Sequence, residues 1–98
     1  MKIPVITSDD YIVYIEKFND DLFIHMDVYK WTKEVKSSFV LDWNKWAKSQ
    51  NKDLFAMPFI DNVKMIKWSK ICGFELFKNY ECTDGVVRKL YIWRRKHG

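Results

Sequence analysis

The sequence predicts an α+β domain in which a mixed, mostly antiparallel sheet of about five strands carries two helices. Two pairs of β-branched and aromatic runs flank turn residues, at Asn19–Asp21 and at Thr83–Gly85, which is typical of hairpins. Between these hairpins, two segments repeat apolar residues at steps of three and four, which indicates amphipathic helices. A short apolar run separates the two helical segments, so the predicted order is β-β-α-β-α-β-β.

The first hairpin joins strands at Tyr11–Phe18 and Leu22–Tyr29. Side chains alternate between the two faces of a strand, so the second strand has one face of Leu22, Ile24, Met26 and Val28. We expect that face to point into the core and His25 to lie on the other. Residues 1–10 form a short N-terminal segment, too short for a further strand and two helices.

The first helix follows Thr32, the predicted N-cap, and ends near Gln50. The second spans Asn62–Cys72, and Gly73 is the expected C′ residue because it can adopt positive φ. The apolar face of the first helix consists of Val35, Phe39, Trp43, Trp46 and Ala47.

The remaining strands are a short run at Leu54–Ile60 and a second hairpin. Pro58 places the short run at a bulge or an edge. The hairpin strands are Phe74–Glu81 and Val86–Arg94, and residues 94–98 form a basic tail. The whole chain, 1–98, is one predicted domain, since 98 residues leave no room for a second.

The composition excludes several classes of protein. The formal net charge of +4 permits an anionic partner without requiring one. Cys72 and Cys82 form no CxxC pair and have no zinc-like spacing to a histidine, so we expect no metal. With no apolar run long enough to cross a bilayer and no secretory leader, we expect no membrane contact and a cytoplasmic location.

The segment Asn62–Glu75, which reads NVKMIKWSKICGFE, resembles the signature of the GNAT N-acetyltransferases. In that family an asparagine opens the last helix, which closes on Gly-Phe and runs into a terminal hairpin. The element order from Leu22 onward is also similar to the family's acyl-CoA-binding unit. The resemblance covers about three quarters of the chain and implies a GNAT-like C-terminal core without the family's N-terminal elements.

The resemblance also implies where a cofactor would bind. Active family members place a loop of the form Gln/Arg-x-x-Gly-x-Gly/Ala before the long helix, where free backbone amides and the helix dipole hold the pyrophosphate. Between Tyr29 and Phe39 this chain has no glycine. We therefore expect no cofactor, or acetyl-CoA if the chain is an enzyme, with Lys30, Lys33 and Asn62 as candidate binding residues.

Two residues are candidates for catalysis. Many family members carry a tyrosine four residues before the Gly-Phe, as the acid that protonates the leaving thiolate, and Ser69 holds that position here. A serine hydroxyl is a poor general acid, and the ordinary alternative is a solvent-facing polar residue. His25 is the candidate general base because its unperturbed pKa lies near neutral, and the alternative is a structural or exposed histidine.

Basic and aromatic residues also suggest a binding surface for nucleic acid or an acidic protein. The alternative is an ordinary charged helix face with a frayed tail. An exposed tryptophan would mark a contact surface. The candidates are Trp31, Lys64, Lys67, Trp68, Lys70, Trp93, Arg94 and Arg95.

Three functions remain open at the level of sequence. The first is a non-catalytic GNAT-like binding or structural module of the bacteriophage type, located in a virion or in the host cytoplasm and directed at a protein. The second is a minimal acetyl-CoA-dependent N-acetyltransferase, and the third is a basic nucleic-acid-binding domain. A homodimer is compatible with the first two.

Overall fold

The computed structural model describes residues 1–57 and 63–95, with the backbone alone for residues 63–65. The described strands form one mixed sheet in the order β1-β2-β3-β4-β6-β5. The two helices of the described residues each connect strands that run parallel to one another. The elements are β1 (Lys2–Thr7), β2 (Tyr11–Phe18), β3 (Asp21–Val28), α1 (Lys33–Lys48), β4 (Leu54–Ala56), α2 (Val63–Cys72), β5 (Glu75–Glu81) and β6 (Val87–Trp93).

The α+β fold class and the order from β2 onward are confirmed, and β1 is an addition. The expectation that residues 1–10 contribute no strand is wrong. β1 pairs antiparallel with β2 from Lys2↔Glu16 to Thr7↔Ile12, with an irregularity after Pro4. A proline and a bulge are tolerated here because β1 is an edge strand. Its stability comes from pairing with β2, which a local pattern does not reveal.

The β2–β3 hairpin is in register from Tyr11↔Val28 to Phe18↔Asp21. Its turn is shorter than the sequence predicts, because Asp21 already belongs to β3. Asn19 has a φ of 56°, a left-handed conformation that asparagine tolerates better than most residues. The hairpin is therefore tight, and it sets which face of β3 each side chain occupies.

Helix α1 begins and packs as its sequence predicts. The Thr32 side chain accepts a hydrogen bond from the Val35 amide at 3.2 Å, which confirms the N-cap. The buried positions are Val35, Phe39, Trp43 and Ala47, and Trp46 is partly buried. The helix ends at Lys48, and Ser49 is its C-cap.

The second half of the chain also follows the predicted order, with shorter elements. β4 ends at Ala56, and the rest of the predicted run, with Pro58, lies outside the described residues. Asn62, the predicted start of the second helix, lies outside them as well. Gly73 has a φ of +87° and ends α2, which confirms its role as the C′ residue.

The main core cluster lies on one face of the sheet, beneath both helices, while Leu90 and Ile92 are buried on the other face. Trp43 is fully buried at the centre of the main cluster, within contact distance of the Phe39, Trp46 and Phe74 rings. Phe74 stacks in turn on Trp68 of α2. The other sheet face has no helix packed against it within the described part of the chain. The buried cluster is Tyr11, Val13, Ile24, Val35, Phe39, Trp43, Ala47, Leu54, Ala56, Cys72, Phe74 and Trp93.

Candidate functional site

The candidate site is the place where β3 and β4 part. These parallel strands pair only at Leu22↔Leu54 and Phe23↔Phe55 among the described residues. Beyond Phe23, β3 continues to Val28 without a described partner on its β4 side, and the chain then enters α1. We call this edge of β3, from Ile24 to Val28, the β3 opening. It is where a ligand could reach both the sheet and the start of α1.

A tryptophan from α2 lies against the β3 opening. The Trp68 indole nitrogen is 2.9 Å from the sulfur of Met26, in the middle of the opening. The same indole stacks on Phe74, with ring centroids 5.6 Å apart. Because Met26 and Trp68 are both large and partly buried, their side chains occupy space that a ligand arm between the strands would need.

The backbone leading from β3 into α1 is closed by hydrogen bonds within the chain. The carbonyl oxygen of Asp10 accepts from the Tyr29 amide at 2.8 Å and from the Lys30 amide at 3.1 Å. The Val35 amide is taken by the Thr32 hydroxyl. We call these three groups the closed amides. An anion cradle requires backbone amides that point at the ligand and have no other hydrogen-bond acceptor. The three closed amides already donate to acceptors within the chain, so they cannot form such a cradle.

Side chains around the closed amides are also unsuited to a tight anion site. Trp31 is 42% exposed and its ring lies 5.9 Å from that of Phe39, at a position where a cradle would need a small residue. Glu34 adds a negative charge to the first turn of α1. Lys30 and Lys33 are exposed and supply positive charge, but as flexible point charges. The third candidate, Asn62, lies outside the described residues.

His25 lies on the sheet face away from the helices, since Ile24 and Met26 on either side of it pack towards the core. Its Nε2 is 3.0 Å from the Glu16 carboxylate. Burial and the positive charge of Lys2 lower the pKa of His25, against the opposing effect of Glu16. The imidazole is therefore neutral at neutral pH and chemically able to accept a proton.

Ser69 is buried, with 4% of its surface exposed, so the expectation that it faces solvent is wrong. Its hydroxyl donates to the Ile66 carbonyl oxygen, one helical turn back, at 2.8 Å. The local period of α2 cannot reveal this burial, because it arises where α2 packs on the core. Ser69 is on the helix side of the sheet and His25 is on the other, so the structure does not bring the two candidate catalytic residues together.

The predicted binding residues are divided among separate surfaces. Lys67 and Lys70 are exposed on α2, Trp68 is partly buried, and the side chain of Lys64 is outside the described part. Trp93 is only 6% exposed, so the expectation of an exposed ring there is wrong, because its strand β6 carries it under the helices. Lys70 and Trp93 both line a shallow groove of about 360 Å³ at the C-terminal ends of α1 and α2.

The two arginines after β6 are held in place by carboxylates. The Arg94 guanidinium donates to Glu75 at 2.8 Å, on the sheet face away from the helices. The backbone amide of Arg95 donates to Asp53 at 2.8 Å. These contacts tie the start of the predicted basic tail to β4 and β5 instead of leaving it free.

The sequence interpretation missed a row of phenylalanines on the sheet face away from the helices. Phe18, Phe23, Phe55 and Phe77 form successive ring contacts, with centroids 6.4, 5.7 and 6.3 Å apart. We call these four residues the Phe row. Alternation along β2 and β3 could have placed Phe18 and Phe23 on one face. Only the strand order brings Phe55 and Phe77 to them.

Other kinds of site find little support in the described residues. No group of three or more His, Cys, Asp or Glu side chains there is placed to hold a metal ion. Burial raises the pKa of the Cys72 thiol well above its usual range, so it is not a reactive nucleophile. Among the described residues, no helix is both long enough and apolar enough to cross a membrane.

Comparison with known proteins identifies the fold. No family model matches the sequence, and no curated protein matches it. Solved structures do match, at low identity. An uncharacterized protein from Bacillus halodurans aligns with a TM-score of 0.63 and 17% identity, over 89% of this chain and 53% of its own. A putative GNAT-family acetyltransferase from Bordetella pertussis aligns with a TM-score of 0.62 and 9% identity, over 85% of this chain and 56% of its own.

A third similar structure contains a ligand. The aminoglycoside acetyltransferase AAC(6')-Ib, in complex with coenzyme A and kanamycin, aligns with a TM-score of 0.55 and 13% identity over 90% of this chain and 69% of its own. The fold of this chain is therefore GNAT-like, as the motif around Gly73 predicts. The chain spans about half the length of the first two structures.

Proposed function

We propose that this chain is a non-catalytic GNAT-like module that acts by binding another protein. The observation that carries this proposal is the pair of hydrogen bonds from the Tyr29 and Lys30 amides to the Asp10 carbonyl. Those amides precede α1, where an acyl-CoA pyrophosphate would need free donors. Here the chain satisfies them itself.

Opening this segment for a cofactor would be costly. Each backbone hydrogen bond contributes about 0.5–1.5 kcal/mol net, so freeing the amides of Tyr29 and Lys30 costs about 1–3 kcal/mol before any phosphate is bound. Releasing Val35 costs a further contribution of about 1 kcal/mol from the Thr32 cap. Lysine ammonium groups nearby return only modest, screened attraction at an exposed site. The balance disfavours a bound diphosphate.

The catalytic candidates support the same conclusion. A transferase needs its base and its acid on either side of one reacting centre. His25 and Ser69 lie on opposite faces of the sheet, and the Ser69 hydroxyl is directed to Ile66. Trp68, which lies against the β3 opening, further reduces the space for an acyl arm.

For the partner we propose a protein surface that carries acidic residues. Support comes from Trp31, an exposed aromatic residue at the start of α1, with Lys30 and Lys33 exposed beside it in the chain. Tryptophan is enriched at interface hot spots, and lysines around it favour a negative partner. For a module of the bacteriophage type, we propose a virion protein or a host protein as the partner.

Calorimetry with coenzyme A and with acetyl-CoA tests the loss of cofactor binding. We expect no saturable heat at ligand concentrations where a Kd of about 100 µM, or about 5.5 kcal/mol, would be detected. Tighter binding would contradict the proposal.

For the partner, affinity capture with wild type, Trp31→Ser and the control Leu41→Ser separates specific from general contacts. We expect Trp31→Ser to lose a protein that wild type and Leu41→Ser retain, and retention by all three would contradict the assigned surface.

A minimal N-acetyltransferase is the second candidate, favoured by the parting of β3 and β4 after Phe23. The similar enzyme AAC(6')-Ib is described in complex with coenzyme A. This candidate predicts acetyl transfer to an amine and loss of that transfer in His25→Ala.

The nucleic-acid-binding candidate is less supported, because the basic residues lie on separate surfaces. It predicts binding that weakens steeply with added salt.

A further inference from the structure

The Phe row crosses most of the sheet on the face that no described helix covers. Phe23 and Phe55 are opposite one another in the β3–β4 register, and their neighbours Ile24 and Leu54 point to the core. Phe23 and Phe55 therefore point away from the helices. The row runs from β2 to β5, across about four strand spacings or roughly 19 Å.

The Phe row is apolar and partly exposed, and Ile92, which pairs with Phe55 and shares its face, is buried. Phe18 is 61% exposed and Phe77 is 43% exposed, while Phe23 and Phe55 are partly exposed. None of the four belongs to the buried core cluster. A line of aromatic rings with exposed members at both ends is unfavourable in water and typical of a protein-binding surface.

The two ends of the Phe row carry opposite charges. At the Phe77 end, the Lys78 ammonium lies 5.4 Å and the Arg94 guanidinium 5.6 Å from the ring centroid. Arg94 is balanced by Glu75, which leaves Lys78 as the net positive charge. At the Phe18 end, Asp21 pairs with Phe18 across the strands and so shares its face. Within the described residues, neither Lys78 nor Asp21 forms an ion pair.

These charges make the surface complementary to itself. A two-fold axis that lies between the two sheets, parallel to them and perpendicular to the Phe row, places a second copy face to face so that the acidic end of one row meets the basic end of the other. In such an isologous interface, the same surface patch of both copies is in contact, so each residue pair occurs twice. The arrangement covers the rings and supplies partners for both unpaired charges.

We propose that the Phe row binds the Phe row of a second copy of this chain, with Asp21 of one copy beside Lys78 of the other. The chain is then a face-to-face homodimer. Its helices, with Trp31 and the lysines of α1 and α2, remain on the two outer surfaces. The dimer thus presents two copies of the proposed partner-binding surface.

Sedimentation equilibrium of the full chain, from tens to hundreds of micromolar, tests this directly. We expect a monomer–dimer equilibrium for wild type. Phe77→Asp should raise the dimer dissociation constant by at least about tenfold, because it removes one of the two most exposed rings of the Phe row and places a charge among the other rings. Leu41→Asp is the matched control, since Leu41 is 73% exposed on α1, and it should leave the equilibrium unchanged.

A charge exchange tests the orientation of the two rows. Lys78→Glu and Asp21→Lys should each weaken the dimer, and the double variant should restore it because the opposite charges meet again. Circular dichroism of every variant checks that the fold is retained. A monomeric wild type, a dimer insensitive to Phe77→Asp, or a double variant no better than the singles would overturn the proposal.

Discussion

The indole nitrogen of Trp43 donates a hydrogen bond to the backbone carbonyl of Cys72 at 2.7 Å. Trp43 lies in the middle of α1, and Cys72 is the last residue of α2. The two helices are thereby fixed to each other beneath the sheet by a buried polar contact within an aromatic core. This contact sets where α2, with Trp68, lies relative to the β3 opening.

Replacing Trp43 with phenylalanine should destabilise the protein by about 2–4 kcal/mol. The change leaves the Cys72 carbonyl buried without its donor, which costs about 1–3 kcal/mol, and it also removes part of a fully buried side chain. Urea unfolding followed by fluorescence of the remaining tryptophans measures the loss. Leu41→Ala, at an exposed position of the same helix, should change stability by less than about 0.5 kcal/mol.

Gly73→Ala should cost about 1–2 kcal/mol because of backbone conformation and not because of crowding. Gly73 has a φ of +87°, and a Cβ there would be 3.5 Å from Trp93, an ordinary contact distance. Gly73→Asn should lose less stability, since asparagine tolerates positive φ. Equal losses for the alanine and asparagine variants, measured by thermal unfolding, would show that φ is not the cause.

Thr32→Ala should lower stability by about 1 kcal/mol, because the Val35 amide loses its capping acceptor. Thr32→Ser keeps a hydroxyl at the same position and should retain most of the stability. Chemical denaturation of the two variants side by side gives the comparison. If alanine and serine behave alike, the cap seen at the start of α1 does not contribute to stability.

His25 should titrate below 6.5, since burial and Lys2 disfavour its charged form in the folded protein. The unfolded chain then binds the proton more readily, so stability should fall as the pH drops below about 6.5 towards the folded pKa. Glu16→Gln should lower the pKa of His25 further, and Lys2→Gln should raise it. Proton–nitrogen correlation spectra of the imidazole across the pH range provide the measurement. A pKa above 6.5 in wild type would contradict the predicted downward shift.

Local patterns predict the elements whose stability is local. Thr32 and the spacing of Val35, Phe39 and Trp43 define α1 in the sequence, and all four have the expected roles. Gly73 marks the end of α2 because only a residue that tolerates positive φ fits there. These features depend on neighbours within one or two helical turns.

The features that the sequence does not reveal depend on distant contacts. β1 exists because it pairs with β2, and its own residues, with Pro4 among them, form a weak strand pattern. The burial of Trp93 follows from the position of β6 between β4 and β5. The closure of the Tyr29 and Lys30 amides needs Asp10, a residue far away in sequence. A missing glycine suggests a poor cradle, but only the structure identifies the group that closes it.

Backbone amide spectra of the protein titrated with coenzyme A test the central claim most directly. Because the Asp10 carbonyl holds the amides of Tyr29 and Lys30, we expect both resonances to remain unmoved up to about 1 mM ligand, and both amides to exchange slowly with solvent. Saturable shifts of these two resonances together with that of Val35, with a Kd below about 100 µM, would contradict it. Such shifts would mean that the segment opens to hold the pyrophosphate after all.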